Sequence, residues 1–419
     1  MWGVALTLTH LPDPAPEDIP FFPMIRAASC PLDPSPMLSD LQAKAPFVRV
    51  RLWDGSTALL VTRYAEQRAL LADPRVSADP YRPGYPFQSQ GLKDITEETQ
   101  SFLNMDDPEH ARLRRMVAGT FTVRRIEGLR PAVRKIVDDL ISDLLAGPRP
   151  ADLVSRFALP VPSLVICHLL GIPYADHDFF QLTSATLISR ETSTAAMKDT
   201  MAEVSGYLER LIRRKLAAPA DDLLSRLASE QIQTGQMTQQ ELVKLISLLL
   251  LAGHGTTANM IALGTLALLR HPGQLTQLRN ADDPKLVGRA VEELLRYLSI
   301  IHTGLRRLAL EDIEIAGQVI GAGEGLVIPI ETANRDETVF PRAEMLDIHR
   351  DARQHIAFGF GLHQCVGQHL ARVELQVVYG ALYRRIPTLA LAVDPGDIRF
   401  KHDGLVYGVY ELPVTWQPE

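Results

Sequence analysis

Cys365 lies in the run Phe358-Gly359-Phe360-Gly361-Leu362-His363-Gln364-Cys365-Val366-Gly367, with glycines crowding one side of the thiol and a helix-like stretch, Gln368 to Arg385, beginning on the other. A cysteine at a helix start feels the positive end of the dipole and meets unpaired backbone N–H groups. Both favour thiolate over thiol. The other two cysteines, Cys30 and Cys167, are far away in sequence. The set therefore supplies neither a disulfide framework nor a zinc site, and it cannot supply the four ligands of an iron–sulfur cluster. A lone, rigidly held thiolate suits one role, a single soft axial ligand to one metal.

A second constellation lies on the apolar stretch that ends at Arg270. Leu248, Ala252 and Thr256 recur every four residues, a stripe with small residues where a flat group could approach. Without Cys365 it would read as an ordinary core stripe. Its centre, Gly253-His254-Gly255-Thr256-Thr257-Ala258, also matches the dinucleotide fingerprint formally. That motif needs a parallel strand ending in an acid about 20 residues later, whereas Pro284 to Tyr297 reads as helix. The nucleotide reading is set aside. His349-Arg350-Asp351 lacks any other kinase element, and Gly321 to Gly325 reads as a turn.

Charged residues recur at helical spacing. Glu293 and Arg296 stand at i, i+3, and His110 and Arg114 at i, i+4, so each pair shares a helix face. Taken alone, each is a solvated charge or an exposed ion pair. Haem would give the second pair another meaning, because its propionates need cations and its iron accepts a cysteine thiolate that favours O–O cleavage.

The pattern Phe358-x-x-Gly361-x-x-x-Cys365-x-Gly367 closely resembles the haem-ligand loop of cytochrome P450s, and Glu293-Leu294-Leu295-Arg296 resembles their Glu-x-x-Arg pair. The resemblance spans almost the whole chain and is closest to soluble bacterial P450s of the actinobacterial type. It implies the P450 fold, mainly α with small β-sheets, as a single catalytic domain over residues 1–419. It implies heme b ligated by Cys365, with His110, Arg114, Arg307 and His363 on the propionates. Phe358 would pack against the porphyrin, and Gly361 belongs to the same cofactor-binding loop. Glu293 and Arg296 would be a buried structural pair tied to the region from Asn334-Arg335-Asp336 to Arg342.

The segment Ala252-Gly253-His254-Gly255-Thr256-Thr257 resembles the family's oxygen-binding signature, with Thr256 expected to hold water and dioxygen during protonation. The usual acid is replaced by Gly255. Protons must then come through ordered water, His254 or the substrate. The glycine pair costs about 1 kcal/mol per residue in a helix interior and would permit a bulge that opens an oxygen-binding groove. By the same analogy the substrate meets Pro83–Leu103, the region around 182–195, Leu248–Thr256, Ser299–Leu305 and Gly404–Gly408. Phe87, Leu248, Ala252, Ile301 and Leu405 are the named candidates. A largely hydrophobic natural product is expected, with insertion of one oxygen atom from dioxygen. Oxidative coupling without oxygen insertion is the first alternative, and a non-catalytic haem-thiolate binding protein the second. No flavin, nicotinamide or iron–sulfur module is evident, so electrons are expected from a ferredoxin and its reductase.

The elements that must position these residues are legible in outline. Residues 1–35 form an irregular, proline-punctuated arm. Phe47 to Trp53, Asp54-Gly55 and Thr57 to Thr62 read as a hairpin whose turn dipeptide favours type I′ geometry. Helices are predicted over Glu109–Phe121, Ile126–Leu145, Ala202–Leu216, Leu223–Ser229, Thr238–Arg270 and Pro284–Leu298. Strands are predicted within Leu308–Ile330 and Gly404–Trp416. The 419 residues are 46% hydrophobic and 22% charged with net charge -7, which fits a globular protein and argues against a nucleic-acid binder. The stretch Leu245–Leu269 has no formal charge and the length of a membrane span. Its polar middle, its capping box Thr238-Gln239-Gln240-Glu241 and its end at Arg270-His271-Pro272 favour a buried helix instead. No signal peptide or membrane anchor is read at the N-terminus, and a cytoplasmic monomer is expected.

Overall fold

The computed structural model describes residues 9–10, 18–27, 29–98, 101–173, 176, 179–180, 183, 194–281, 283–402 and 404–417. Most of the expected substrate-facing region around 182–195 lies outside them. The protein is mainly helical with small sheets. It forms two compact units, each built from separate stretches of chain. Met1–Arg114, Glu292–Val366 and His402–Tyr407 make the first, and Arg115–Val291, Gly367–Lys401 and Gly408–Glu419 the second.

The first unit is organised on a five-stranded sheet in the order Phe47–Arg51, Thr57–Val61, Gly325–Ile328, Leu305–Ala309, Val76–Ser77. Side chains alternate across a strand. Leu59, Val61, Leu326 and Ile328 pack into one core cluster, while Ala58, Leu60 and Val327 pack into another with Phe22, Leu38 and Val50. Thr57–Val61 is thus apolar on both faces. The predicted hairpin is present, with Phe47 opposite Val61 and Arg51 opposite Thr57. Its turn is not type I′. The Leu52 carbonyl accepts the Gly55 N–H at 3.1 Å and the Leu52 N–H donates to Ser56 at 2.8 Å. Trp53 and Asp54 are therefore the central residues, and only Gly55 has positive φ, +85°, whereas type I′ needs positive φ at both central positions. The arm is also more regular than expected, because Thr9–His10 pairs in parallel with Gln318–Ile320.

In the second unit, helix Gln239–Leu269 is the axis. Its start is a capping box in which Thr238 Oγ1 accepts the Glu241 N–H at 3.1 Å and Glu241 Oε2 accepts the Thr238 N–H at 2.7 Å. It is long and apolar enough to cross a membrane, yet 56% of its most apolar window is buried inside the protein. Helix Gln368–Arg385 locks onto it through Tyr379, whose hydroxyl donates to the Met260 carbonyl at 2.5 Å. Gly264 makes the room, since a Cβ there would lie 1.9 Å from the tyrosine oxygen. Of the C-terminal strands expected over Gly404–Trp416, only Pro413–Thr415 forms, between Ala390–Leu391 and Ala151–Asp152. Gly404 to Leu412 otherwise contributes a single bridge, Phe400 to Val409.

Candidate active site

The Cys365 loop is shaped by its backbone. The Ile356 carbonyl accepts the Gly359 N–H at 2.8 Å, the Gly361 carbonyl that of Gln364 at 3.1 Å, and the Phe358 carbonyl that of Cys365 at 2.9 Å. Gly359 and Gly361 both have φ of +71°, a region strained for other residues. Packing also demands Gly361, because a Cβ there would lie 2.1 Å from the Leu71 carbonyl oxygen. Cys365 stands two residues before Gly367, the N-cap of Gln368–Arg385. The thiol is thus ahead of the helix rather than on its first turn. Cys365 is exposed, whereas Cys167 is fully buried and its thiol is pushed up to about 12 by desolvation. Burial pushes the Arg114 guanidinium down, and the Cys365 charge opposes that. Arg114 also donates to the Gln364 carbonyl.

The four residues expected at the propionates all lie in the first unit. The His110 and His363 rings lie 4.2 Å apart. His363 is pushed down to about 3, by burial first and then by Arg307, His110 and Arg114. His110 Nδ1 lies 3.0 Å from an Asp107 carboxylate oxygen, which can only accept, so Nδ1 carries the proton. His110 Nε2 is buried with no hydrogen-bond partner among the described residues. Arg307 is buried, donates to the Arg306 carbonyl at 2.7 Å, and is pushed down by desolvation.

Arg306 was passed over in the sequence. Its three guanidinium nitrogens are buried without a hydrogen-bond partner among the described residues, their central carbon lies 5.3 Å over the Phe22 ring, and desolvation pushes the group down to about 10. Two adjacent arginines on one strand were the available signal, since they must enter opposite faces of the sheet.

Glu293 and Arg296 are both wholly buried. Arg296 Nε and Nη2 donate to the two Glu293 oxygens at 2.7 and 2.8 Å, and Arg296 also reaches the carbonyls of Asn334, Ala343 and Met345. Glu293 further accepts the Asp347 N–H at 2.9 Å and Arg350 Nε at 3.2 Å. Arg350, dismissed in the sequence with a kinase-like fragment, is therefore the third member of the network.

In the second unit, Gln239–Leu269 runs as one α-helix through Gly253 and Gly255, so the expected bulge is absent. Two side-chain bonds support the segment instead. Thr256 Oγ1 donates to the Ala252 carbonyl at 2.8 Å, and Asn259 Nδ2 donates to the Gly255 carbonyl at 2.7 Å. Leu248, Leu251, Ala252, Gly255 and Thr256 form one incompletely buried stripe at i, i+3, i+4, i+7, i+8. Leu251, at 46% exposure, was not singled out from sequence. Phe87, Ile301 and Leu405 belong to the first unit: Phe87 stands edge-on to Tyr85 at 5.2 Å, Ile301 packs on the Leu59 cluster and Leu405 is exposed.

His254 lies off the stripe, buried, with Nε2 unpartnered among the described residues, and burial pushes it down to about 4. It is neutral near pH 7. Between pH 6.5 and 4 the unfolded chain takes up a proton that folded His254 refuses, so stability falls as pH falls. Relative to His254→Phe, the wild-type protein should lose up to about 1.4 kcal/mol more per pH unit across that window. Urea unfolding at stepped pH measures this, and equal slopes would refute the buried neutral imidazole.

The family profile described as Cytochrome P450 matches residues 175–387. Cytochrome P450 GfsF of Streptomyces halstedii is 54% identical over 412 residues, covering 98% of this chain and 99% of that protein. The chain belongs to the cytochrome P450 family. The crystal structure of GfsF aligns with this P450 at a TM-score of 0.92 and 53% identity, covering 95% of this chain and all of the other. That of mycinamicin VIII C21 methyl hydroxylase from Micromonospora griseorubida, bound to mycinamicin VIII, aligns at 0.87 and 43% identity over 95% of this chain and all of the other. Pentalenic acid synthase of Streptomyces avermitilis is 48% identical over 94% of this chain and 97% of its own length.

The P450 family uses haem held by a cysteine thiolate, and this chain is a P450 monooxygenase. Its residues fit that group. The first unit offers an exposed thiol on a glycine-shaped loop, an orphaned buried imidazole nitrogen at His110, and buried Arg307. A buried guanidinium with so few partners among the described residues is costly unless an anion joins it, and carboxylate groups on a bound cofactor would supply one.

Proposed function

We propose that this P450 inserts one oxygen atom into a largely apolar natural product, with electrons delivered by a ferredoxin and its reductase. The observation that carries the substrate class is the incompletely buried stripe of apolar and small residues around Ala252, supported by relatives whose names specify a mycinamicin hydroxylase and a pentalenic acid synthase. The whole of 1–419 acts as one catalytic domain, in the cytoplasm and as a monomer. The exposed pair Arg124-Arg125 offers an acidic redox partner a basic docking point.

With haem bound, Cys365 would hold the iron, Arg114, Arg307, His110 and His363 would hold the propionates, Phe358 would pack on the porphyrin, and Gly361 would let the loop approach. Haem, when bound, supplies the two-electron activation of dioxygen. Thr256 already donates its hydroxyl hydrogen bond to the Ala252 carbonyl, so its oxygen serves as an acceptor that orders water or dioxygen. Gly255 offers no acid and His254 is neutral and buried. Protons therefore arrive through water ordered at Thr256, or from the substrate. Leu248, Ala252, Phe87, Ile301 and Leu405 bind substrate. The missing acid favours oxidative coupling as the second reading. A spectral-shift screen of natural-product libraries finds the substrate, and isotope-labelled dioxygen with a surrogate redox pair then separates the two. One labelled oxygen atom in the product is expected. A product without label would overturn oxygen insertion in favour of coupling.

A further inference from the structure

Asn259 stands one turn beyond Gly255 and is only 6% exposed. Its amide nitrogen donates to the Gly255 carbonyl at 2.7 Å, and its amide oxygen accepts Lys401 Nζ at 3.2 Å. Lys401 is itself 8% exposed, and this is the one hydrogen bond of its side chain among the described residues. The Lys401 N–H donates to the Gly408 carbonyl at 2.8 Å. A Cβ at Gly408 would lie 1.7 Å from the Asn259 amide oxygen. The backbone that anchors Lys401 therefore also presses flat against the amide.

This arrangement fixes which way the amide points. An ammonium only donates and a carbonyl only accepts. Turning the amide over would set donor against donor at Lys401 and acceptor against acceptor at Gly255. A buried ammonium is costly in itself; burial pushes Lys401 down, with Asp152 opposing, and the Tyr410 ring lies 5.6 Å from Nζ. Its effect is exerted at the position where the resemblance calls for a carboxylate and the chain has glycine.

We propose that Lys401 and Asn259 are positioning residues for the oxygen-handling segment, Lys401 fixing the Asn259 amide and the amide holding the Gly255 carbonyl. The inference rests on Gln239–Leu269 being the oxygen-handling helix. Within that helix the Gly255 carbonyl already faces the Asn259 backbone N–H; the side-chain amide occupies its second lone pair. A saturated carbonyl does not bind water, so Thr256 is left as the acceptor on the stripe. Losing the clamp frees a competing acceptor beside Thr256 and loosens a segment weakened by two glycines. Water then protonates dioxygen unproductively. Two electrons from the redox partner and two protons leave with dioxygen as hydrogen peroxide, and no oxygen atom enters the substrate.

The test compares haem-loaded wild type with Lys401→Met, Asn259→Leu and the double variant. Backbone hydrogen exchange over residues 252–259 should rise roughly fivefold in each single variant, equivalent to about 1 kcal/mol. The double variant should rise no further, because one clamp is broken only once. Peroxide released per electron pair should rise in step, while the affinity read from the substrate-induced spectral shift stays unchanged. If Lys401→Met does not take up haem, Lys401→Gln replaces it under the same criteria. Unchanged exchange in the single variants, additive exchange in the double, or coupled exchange without extra peroxide would each overturn the proposal. The exchange measurement stands even if the enzyme proves to couple rather than to insert oxygen.

Discussion

Replacing Cys365 with serine should abolish the thiolate-type red-shifted band of the ferrous–CO complex and reduce turnover below detection, while far-ultraviolet circular dichroism changes little. The fold should survive because the loop is built without the sulfur. Its turns close through the Ile356, Gly361 and Phe358 carbonyls, and its approach to Leu71 depends on Gly361. Serine is smaller and keeps the backbone N–H that bonds Phe358. What is lost is a soft, readily ionised ligand, for which an alcohol is no substitute at neutral pH. A Cys365→Ser protein that still showed the red-shifted band would move the ligand elsewhere. Cys167 could not take that role as it stands, since it is buried and its thiol resists ionisation.

Glu293→Gln should be the most destabilising conservative change in the chain. The substitution keeps the shape and removes the charge, leaving Arg296 and Arg350 facing a neutral amide inside the first unit. Breaking a buried pair in this way costs about 3–5 kcal/mol, against a total stability on the order of 5–15 kcal/mol. The network also ties together Asn334, Ala343, Met345 and Asp347. Little haem-loaded protein should therefore be recovered, and what is recovered should unfold at markedly lower urea. Arg353→Ala provides the control, because Arg353 and Asp351 form an exposed pair of the kind that contributes little. Its midpoint should match wild type. Equal midpoints for Glu293→Gln and wild type would mean that the buried pair carries no net load.

What could be read from the sequence followed how local each signal was. The thiolate loop, the hairpin and the capped end of Gln239–Leu269 are set by residues within a few positions of each other, and they were legible. The hairpin turn was misread because Asp54-Gly55 satisfies two turn types, and only the Leu52 to Gly55 bond decides between them. Helix Pro160–Leu170 was not predicted. Ten of its eleven residues are buried, so it has no polar face from which to read a period. Arg350 and Lys401 were missed for a different reason. Each acts through a partner distant in sequence, Glu293 in one case and Asn259 in the other. Arg306 looks like its neighbour in sequence and is equally buried, and only the missing partners of its guanidinium among the described residues distinguish it.

The division of the chain also sets a timetable for synthesis. The unit that carries Cys365 needs residues from Met1–Arg114, Glu292–Val366 and His402–Tyr407. At about 5–20 residues per second, the stretch between Arg114 and Val366 takes roughly 10–50 s to emerge. For most of that interval Thr57–Val61, apolar on both faces, has neither Gly325–Ile328 beside it nor the core that follows. The hairpin is made early and completed late, so the nascent chain keeps apolar surface uncovered for most of its synthesis, and a cofactor site built around Cys365 awaits the last part of the chain.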